Sequence, residues 1–551
     1  MDKPDPSSAA TSASAPGPSG LTGRLLDRIE RVGNRLPDPL TLFVLLAIAV
    51  PLISWLVAAT GWSVTHPGTG EKIEAVNLLT AGNIQRMFTE AVNNFTGFKP
   101  LGVVLVAMIG IGVVERSGLI ATCLKLMVRS VPAGLISAAL VFAGVMSSLA
   151  ADVGYVVLTP LGAVLFAGLG RHPLAGLAAA FAGVSGGFSA NLLIAVVDPM
   201  LAGLTEEAAH LLQADYEVAA TCNWWFMIAS VFLVTTIGWW VTDRIVEPRL
   251  GAWRPQGSDE HIDGMREVST REKRAAAWAL AAFLATMGLV AALAVPENGV
   301  LRDEAGTLKP LIKSVVPIML LGFFVPGLVY GIASGSIRSD RTVARMTADT
   351  MNTMGVYIVL AFAAAQFITF FGWSNLGKML AIGGAELLQH AGFGGMPLIL
   401  AFIVVAGVIN LFIGSASAKW AIMAPVFVPM LMAMGFSPEL TQVAYRIGDS
   451  VTNIITPLMP YFPIVVAFGQ KYDPDLRLGT LIAAMLPYSV AFAIGWVILL
   501  SIWMMLGVPL GPQAPLEYDP KRIQPAPAVG MASPIGGTVP QREIDRTRVG
   551  S

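Results

Sequence analysis

Long apolar runs separated by short polar segments dominate the pattern of hydrophobic and polar positions along this chain. A run of about 20 apolar residues is long enough to cross the hydrocarbon core of a bilayer as a helix. The short alternating segments of a membrane β-barrel are absent. The pattern therefore predicts an all-α polytopic membrane protein with about nine transmembrane helices, at residues 40–60, 101–114, 174–197, 224–241, 275–295, 315–332, 350–371, 398–413 and 480–506.

Two further apolar stretches contain a central proline, end in a glycine and repeat at a fixed distance. With a shift of 265 residues, Pro160 falls on Pro425 and Gly170 falls on Gly435. The same shift aligns further pairs: Ala151 with Ala416, Pro173 with Pro438, Ala179 with Ala444, Gly183 with Gly448 and Ser185 with Ser450. This spacing indicates an internal repeat, whose relative orientation the sequence does not give. Because each stretch is short for a span, we predict two re-entrant helical hairpins, at about 147–170 and about 415–435.

Polar segments divide the chain into two transmembrane halves. We expect a disordered cytoplasmic tail at 1–36, a first transmembrane half at 37–243, a hydrophilic linker at 244–274, a second half at 275–510 and a disordered tail at 511–551. Four arginines precede the first apolar run: Arg24, Arg28, Arg31 and Arg35. Basic residues favour the cytoplasmic side, so the N-terminus is expected inside the cell.

Composition excludes several other classes of protein. Only 13% of residues are charged and the formal net charge is -1, so the chain offers no basic surface for nucleic acid. Two cysteines cannot build a disulfide framework or a cysteine metal site. No P-loop and no HExxH motif is present, which argues against an ATP-driven pump and a zinc protease.

The stretch from Gly414 to Pro463 combines charges and prolines inside an apolar region. Charged residues are costly in hydrocarbon and normally face a bundle interior or a water-filled cavity. Arg446 and Asp449 are three residues apart and therefore share one helix face. They either form a structural salt bridge, or Arg446 meets an anionic substrate while Asp449 takes a coupling cation or proton.

Polar and aromatic residues around these charges are further candidates. Ser415 and Ser417 offer hydroxyls to a polar substrate, and Trp420 either stacks on an aromatic ring or packs in the bundle. Asn410 offers an oxygen ligand or an interhelical hydrogen bond. Asp198 follows a polar run in the first half and precedes a proline. Pro457, followed by Pro460 and Pro463, is expected to unwind its helix and free backbone carbonyls for an ion or substrate.

One sequence motif suggests an enzyme. Residues 183–187 read Gly-Val-Ser-Gly-Gly, which matches the GxSxG pattern of serine hydrolases. The strand–turn–helix context of that pattern is missing, and no histidine lies centrally in a clear span to act as the base. Small residues at this spacing fit close helix packing better, so we do not expect an enzyme.

Four longer segments resemble the p-aminobenzoyl-glutamate transporter (AbgT) family. They are SSLAADVGYVVLTPLGA at 147–163, GRHPLAGLAAAFAGVSGGFSANLL at 170–193, FGWSNLG at 371–377 and YRIGDSVTNIITPLMPYFP at 445–463. The resemblance extends over roughly residues 20–510. It implies a homodimeric secondary transporter of the bacterial inner membrane, with nine transmembrane helices and two re-entrant hairpins in each protomer.

The resemblance also implies a function and a site. Family members are associated with uptake of p-aminobenzoyl-glutamate, and some with export of sulfonamides and p-aminobenzoate. Transport is linked to a gradient of H⁺ or Na⁺, with no other cofactor. The implied substrate site comprises Asp198, Ser417, Trp420, Pro438, Arg446 and Pro457, to which we add Ser415 on account of its neighbouring hydroxyl. Asn410 and Asp449 are the implied ligands of the coupling proton or sodium ion.

Overall fold

A computed structural model describes residues 39–520 apart from residues 66–69, 71, 130, 151–152, 254–267, 391, 393, 457–458 and 460. Eight helices in this part are long and apolar enough to cross a bilayer. One of them, Ala416–Ala433, is the second arm of a hairpin. The other seven are continuous spans: Pro39–Thr60, Lys99–Ser117, Trp224–Val241 with its extension to Leu250, Thr270–Ala294, Val315–Ser334, Gly355–Trp373 and Leu478–Leu506. The extension consists of one π-helical turn, Thr242–Val246, and the short helix Glu247–Leu250.

Shorter apolar helices form two hairpins. Hairpin 1 consists of Ile136–Ser147 and Val153–Gly168, and hairpin 2 consists of Gly395–Asn410 and Ala416–Ala433. Each hairpin is followed by a helix that is interrupted in the middle. The first broken helix comprises Pro173–Phe181 with the π-turn Ala182–Gly186, and then Val197–Ala209. The second broken helix comprises Pro438–Asn453 and Phe462–Gly469.

Seven continuous helices and two broken helices give nine crossings, so the predicted fold class is confirmed. The predicted hairpin ranges, about 147–170 and about 415–435, cover only the second arm of each hairpin. The first arm of hairpin 2, Gly395–Asn410, was predicted as a span at 398–413 because a short apolar helix has the same composition whether it crosses or turns back. The second broken helix was missed as a span because its polar first segment lowers its hydropathy.

The internal repeat is confirmed and is inverted. The helices that follow the two broken helices, Trp224–Leu250 and Leu478–Leu506, pack against each other along their length. Phe226 meets Trp503 with ring centroids 5.3 Å apart, Ser230 accepts a 2.8 Å hydrogen bond from Trp496, and the hydroxyls of Thr242 and Tyr488 are 2.6 Å apart. The residue numbers rise on one helix as they fall on the other. These equivalent helices are therefore antiparallel.

Each half also packs a segment against the hairpin of the other half. The segment Val197–Ala209 of the first half packs against the hairpin arm Ala416–Ala433 of the second half. Correspondingly, Phe462–Gly469 packs against Val153–Gly168. Reciprocal contacts of this kind are expected when two copies are related by a two-fold axis. The broken helices therefore meet at the interface between the repeats.

Glycines permit close helix approaches at equivalent positions of both repeats. A Cβ atom at Gly183 would lie 2.4 Å from the carbonyl oxygen of Val141, and one at Gly448 would lie 2.4 Å from that of Ile403. Real Cβ atoms do not approach an oxygen so closely, so only glycine fits. The GxSxG match at 183–187 is thus explained by helix packing, with Ser185 fully buried beside the Met459 sulfur.

Smaller elements cover the two ends of the bundle. Residues Ser63–Thr65 and Lys72–Glu74 form a two-stranded antiparallel sheet in which Ser63 pairs with Glu74. The remaining α-helices are Ala81–Thr89, Ala91–Thr96, Leu119–Arg129, Lys309–Lys313, Asp340–Thr353 and Leu376–His390, and 3-10 turns are found at Ala133–Leu135 and Ser148–Ala150.

The predicted linker and C-terminal tail need correction where the structure describes them. Helices extend into the linker from both sides, up to Leu250 and from Thr270. The tail was predicted to be disordered from residue 511, yet Tyr518 donates its backbone N–H to Gly435 and Ser437 donates to Leu516. The proline and glycine content of this segment led to the prediction of disorder. Its pairing with the turn at Gly435 involves backbone groups, which leave no periodic pattern in the sequence. The predicted tail at 1–36, and residues 254–267 and 521–551, lie outside the described part.

Candidate functional site

The two broken helices bring one arginine and one aspartate together across the repeat interface. Arg446 lies two turns into Pro438–Asn453, a helix that begins with Ser437 as its N-cap and Pro438 in its first turn. Its Nη1 donates to Asp198 Oδ1 at 2.6 Å and its Nη2 donates to the backbone oxygen of Ser189 at 2.8 Å. Asp198 is held in turn by Asn191, 2.8 Å away, and by the backbone N–H of Ala195. Both charged side chains are almost fully buried.

A second buried ion pair lies one turn further along the same helix. The Lys419 ammonium donates to Asp449 Oδ1 and to Asn410 Oδ1, and all three side chains are buried. The Asn410 amide nitrogen lies 2.8 Å from the Asp449 carbonyl oxygen and 2.8 Å from Asn453 Oδ1. Hairpin 2 therefore contributes a cation to the Asp449 carboxylate and an amide to the backbone oxygen of the same residue.

A direct salt bridge between Arg446 and Asp449, one of the two alternatives considered from the sequence, does not form. Arg446 pairs with Asp198 and Asp449 pairs with Lys419, so each charge on the second broken helix finds its partner on another element. Two buried cations and two buried anions balance to zero formal charge. Such pairs are stable in hydrocarbon only when both members remain in place, because a single unpaired buried charge is very costly.

Hydrogen-bonding capacity remains unused around Arg446. Within the part of the chain that the structure describes, the Arg446 Nε–H, the Asn191 Oδ1 and the Ser450 hydroxyl are buried without a hydrogen-bond partner. Asn191 contacts Asp198, the carboxylate partner of Arg446, and Ser450 lies four residues after Arg446 on the same helix face. Leaving a buried polar group unpaired costs about 1–3 kcal/mol, so this cluster is suited to accept a polar ligand.

Trp420 is a packing residue in this conformation. Its indole is fully buried and stacks on Tyr445 with ring centroids 4.4 Å apart. Its Nε1–H donates to Thr205 at 2.9 Å, and the Thr205 hydroxyl lies 2.6 Å from Gln442 Oε1. The tryptophan thus joins hairpin 2 to both broken helices. The other predicted role was stacking on a substrate ring. That role would require Tyr445, or the residues that cover the other face of the indole, to move away.

Replacing Trp420 by alanine is expected to lower the free energy of unfolding by about 3–5 kcal/mol, because it opens a cavity in a packed interior. Thermal unfolding of the purified protein in detergent measures this loss. Trp278→Ala is the matched control, since the Trp278 side chain is 66% exposed on the lipid-facing side of its helix. An unchanged melting temperature for Trp420→Ala would contradict the packing role.

The other predicted site residues have different surroundings. Ser415 is the N-cap of Ala416–Ala433, and its hydroxyl accepts from the Ala418 N–H and lies 3.4 Å from that of Ser417. Both serines lie at the tip of hairpin 2. Pro438 is buried in the first turn of its helix, at the opposite end from Asp449. Pro457 lies outside the described residues.

The predicted sodium ligands are occupied by a side chain. The Asn410 and Asp449 oxygens that were expected to hold Na⁺ both accept from the Lys419 ammonium. A sodium ion at these two oxygens would therefore have to displace that ammonium. The residues are chemically suitable as oxygen ligands, but in this conformation Lys419 takes the place of the cation.

Sequence reasoning missed several residues that build the site. Lys419 is one of the charges in the stretch from Gly414 to Pro463, yet no role was predicted for it from the sequence, although an intramembrane lysine is itself a functional signal. Thr205, Gln442 and Asn453 gave a weaker signal, as isolated polar residues on apolar or mixed helices. Their contacts depend on how hairpin 2 folds back, which spacing along the chain does not reveal.

Comparison with known proteins agrees with this architecture. The family model described as the AbgT putative transporter family matches residues 24–518. The p-aminobenzoyl-glutamate transport protein of Escherichia coli (strain K12) is 37% identical over 497 residues, which cover 90% of this chain and 97% of that protein.

Two solved structures have the same fold over most of the chain. The crystal structure of the Alcanivorax borkumensis YdaH transporter shares 46% identity with a TM-score of 0.82, covering 86% of this chain and all of that one. Neisseria gonorrhoeae MtrF, described as illuminating a class of antimetabolite efflux pumps, shares 46% identity with a TM-score of 0.84 and covers 89% of this chain and all of its own.

These likenesses extend over both halves of the inverted repeat and over the broken helices that carry the buried ion pairs. They identify a transporter and not an enzyme, and a multi-pass protein of the bacterial inner membrane. The chain belongs to the AbgT putative transporter family.

Proposed function

We propose that this protein is an ion-gradient-driven secondary transporter that carries p-aminobenzoyl-glutamate across the inner membrane. The observation that carries the proposal is the unused hydrogen-bonding capacity around Arg446, at the interface of the two repeats. Secondary transporters with inverted repeats bind their substrates at such interfaces, where broken helices meet. The substrate itself is suggested by the Escherichia coli relative and by the chemistry of the site.

Arg446 suits one of the two carboxylates of the glutamate part. In the present conformation Asp198 occupies the Nη1 atom of Arg446, while Nε is free among the described residues. A substrate carboxylate would bind through Nε and then exchange with Asp198 at the guanidinium. Arginine favours this geometry because its planar donors match a carboxylate in two parallel hydrogen bonds.

Charge balance explains why transport of this substrate would need a coupling cation. The four buried charges Arg446, Lys419, Asp198 and Asp449 already sum to zero. A substrate with two carboxylates adds negative charge to a medium in which unpaired charge is expensive. Entry of a proton or sodium ion compensates that charge. Binding at Asp449 would release Lys419, whose ammonium then becomes available to the substrate.

Radiolabelled flux into proteoliposomes tests the proposal, with the proton and sodium gradients imposed independently. We expect p-aminobenzoyl-glutamate to accumulate against its own gradient when one of the two ion gradients is directed inward, and uptake to stop when that gradient is collapsed. Flux that follows only the substrate gradient would instead identify a passive channel and contradict the proposal.

A second candidate is export of sulfonamides or p-aminobenzoate through the same site. The similarity to MtrF, described as one of a class of antimetabolite efflux pumps, favours it. The direction of transport depends on the coupling and not on the pocket, so both functions are compatible with the same residues. Sulfonamide susceptibility of a host with and without this chain separates the two, because an exporter raises resistance and an importer does not.

The transporter is expected to work as a homodimer, as its resemblance to the family implies. Cross-linking in native membranes and light scattering of the purified protein in detergent measure the assembly. A mass of one protomer under both conditions would exclude the dimer.

A further inference from the structure

The described part of the molecule contains a polar cavity that the paired charges Lys419 and Asp449 do not line. The cavity has a volume of about 590 Å³ and is lined by residues from Lys99–Ser117, Val197–Ala209, the loop before Trp224, the segment around Lys309–Lys313 and the start of the second broken helix. If the N-terminus lies inside the cell, as the arginines before the first span predict, nine crossings place this end of the molecule outside the cytoplasm. We call this cavity the outer vestibule.

The mouth and the floor of the outer vestibule differ in exposure. At the mouth, Lys313 pairs with Glu217 at 2.8 Å, and both side chains are more than half exposed. Lys99, also at the mouth, pairs with Glu206 further in. The floor is formed by buried residues that include Cys222 and Glu439. Water at the mouth therefore leads to a buried carboxyl group.

Glu439 has no cationic partner in the described part of the chain. Its residue is 2% exposed, and its carboxyl group accepts hydrogen bonds from the Tyr216 hydroxyl at 2.9 and 3.2 Å. Burial, together with the nearby carboxylate, raises the pKa of Tyr216 well above its usual range, so this phenol remains a donor. A buried carboxyl group without a cation normally becomes protonated unless other groups stabilise its charge.

The surroundings of Glu439 allow both protonation states. Its position in the first turn of Pro438–Asn453 and the Tyr216 hydrogen bonds favour the anion, whereas burial favours the neutral acid. Several charged and titratable groups surround it. Tyr216, Cys222, Glu206, Glu217, Lys99, Lys309 and Lys313 lie toward the vestibule, together with His210, whose ring lies 2.8 Å from the Tyr216 backbone oxygen. Tyr518 and Glu517 lie on the C-terminal segment, and Asp198 and Arg446 lie on the inner side.

Hydrogen bonds connect Glu439 to the substrate site. Its backbone oxygen accepts from Asn223 at 3.0 Å, Asn223 accepts from Gln442 at 2.9 Å, and Gln442 reaches the Thr205 hydroxyl that holds Trp420. Arg446 lies seven residues further on the same helix, about 10 Å along its axis. A change in the charge of Glu439 therefore acts on the helix that carries both Arg446 and Asp449.

We propose that Glu439 is a proton-binding site at the floor of the outer vestibule, where a proton that drives transport first enters the protein. This inference rests on the proposed ion-driven transport and specifies both the ion and the side from which it binds. Glu439 takes up a proton from external water when the vestibule is open and returns to the anion when the proton leaves. The outer vestibule is then part of the ion path.

The test compares uptake into proteoliposomes at a series of external pH values with the internal pH held constant. We expect acidification outside to stimulate uptake by the wild type, and Glu439→Gln to lose this stimulation. Tyr216→Phe removes a hydrogen bond that stabilises the anion, so the midpoint of the profile should move upward, by about one pH unit. Glu217→Gln is the matched control in the same vestibule, because Glu217 is exposed and paired, and its profile should match the wild type.

A second readout does not depend on transport. Infrared difference spectra of the purified full-length protein between acidic and alkaline pH should contain a protonated-carboxyl band that Glu439→Gln removes. An unchanged pH profile in Glu439→Gln, or an unchanged infrared band, overturns the inference. Wild-type uptake driven by sodium alone also overturns it but leaves ion-driven transport intact, whereas uptake that ignores both ions removes the proposed function itself.

Discussion

Asp449→Ala is expected to abolish substrate uptake and to lower the free energy of unfolding by about 3–5 kcal/mol. Removal of the carboxylate leaves the Lys419 ammonium buried without its counter-ion, which is among the most destabilising changes a single substitution can make. Uptake fails for a separate reason, because the coupling cation loses its binding group. Proteoliposome flux and thermal unfolding in detergent measure the two effects independently.

A double variant separates the structural from the coupling role of Asp449. In Lys419→Met/Asp449→Leu both charges are replaced by apolar side chains of similar volume, which is often neutral for stability. We expect this variant to recover most of the melting temperature while uptake remains absent. If the double variant transported like the wild type, Asp449 would serve only as the partner of Lys419.

Arg446→Ala is expected to remove uptake as completely as Asp449→Ala does. It should lower the free energy of unfolding by about 3–5 kcal/mol, because Asp198 is left buried and unpaired. Arg446→Lys keeps the charge but cannot reach Asp198 and the Ser189 carbonyl oxygen from one planar group. We therefore expect the lysine variant to lose at least about tenfold in uptake. Initial rates over a range of substrate concentrations measure both.

Arg171 provides the control for Arg446. It also joins several helices, through ion pairs with Asp243 and Glu247, but it lies at the opposite end of the first broken helix, away from the outer vestibule and the buried pairs. Arg171→Ala should lower the melting temperature without changing the KM for substrate. Wild-type uptake by Arg446→Ala would refute the assigned binding role, as would an equal rise in KM for the two variants.

Much of the architecture was accessible from the sequence because a bilayer imposes simple rules on length and hydropathy. The repeat was detectable because prolines and glycines at breaks and turns have few substitutes, so Pro160 and Pro425 retained their spacing. The orientation of the repeat was not accessible. It depends on which faces of Trp224–Val241 and Leu478–Leu506 meet, and neither helix has a polar face that would indicate it.

The site was predicted as a set of residues but not as a set of pairs. Arg446 and Asp449 share a helix face, which made a direct salt bridge a reasonable expectation. Each instead pairs with a residue that sequence distance gave no reason to choose, Asp198 in the other half and Lys419 on a hairpin that folds back. Chain separation carries no information on such contacts when two repeats interlock.

The reciprocal packing of the two halves has a consequence for the opposite-facing state. In a transporter built from inverted repeats, that state can be described by giving each half the conformation that the other half has now. The exchange is not perfect, since the second segment of the first broken helix has 13 residues and that of the second broken helix has 8. The two repeats therefore bring unequal lengths of helix to their interface, and the shorter one is Phe462–Gly469.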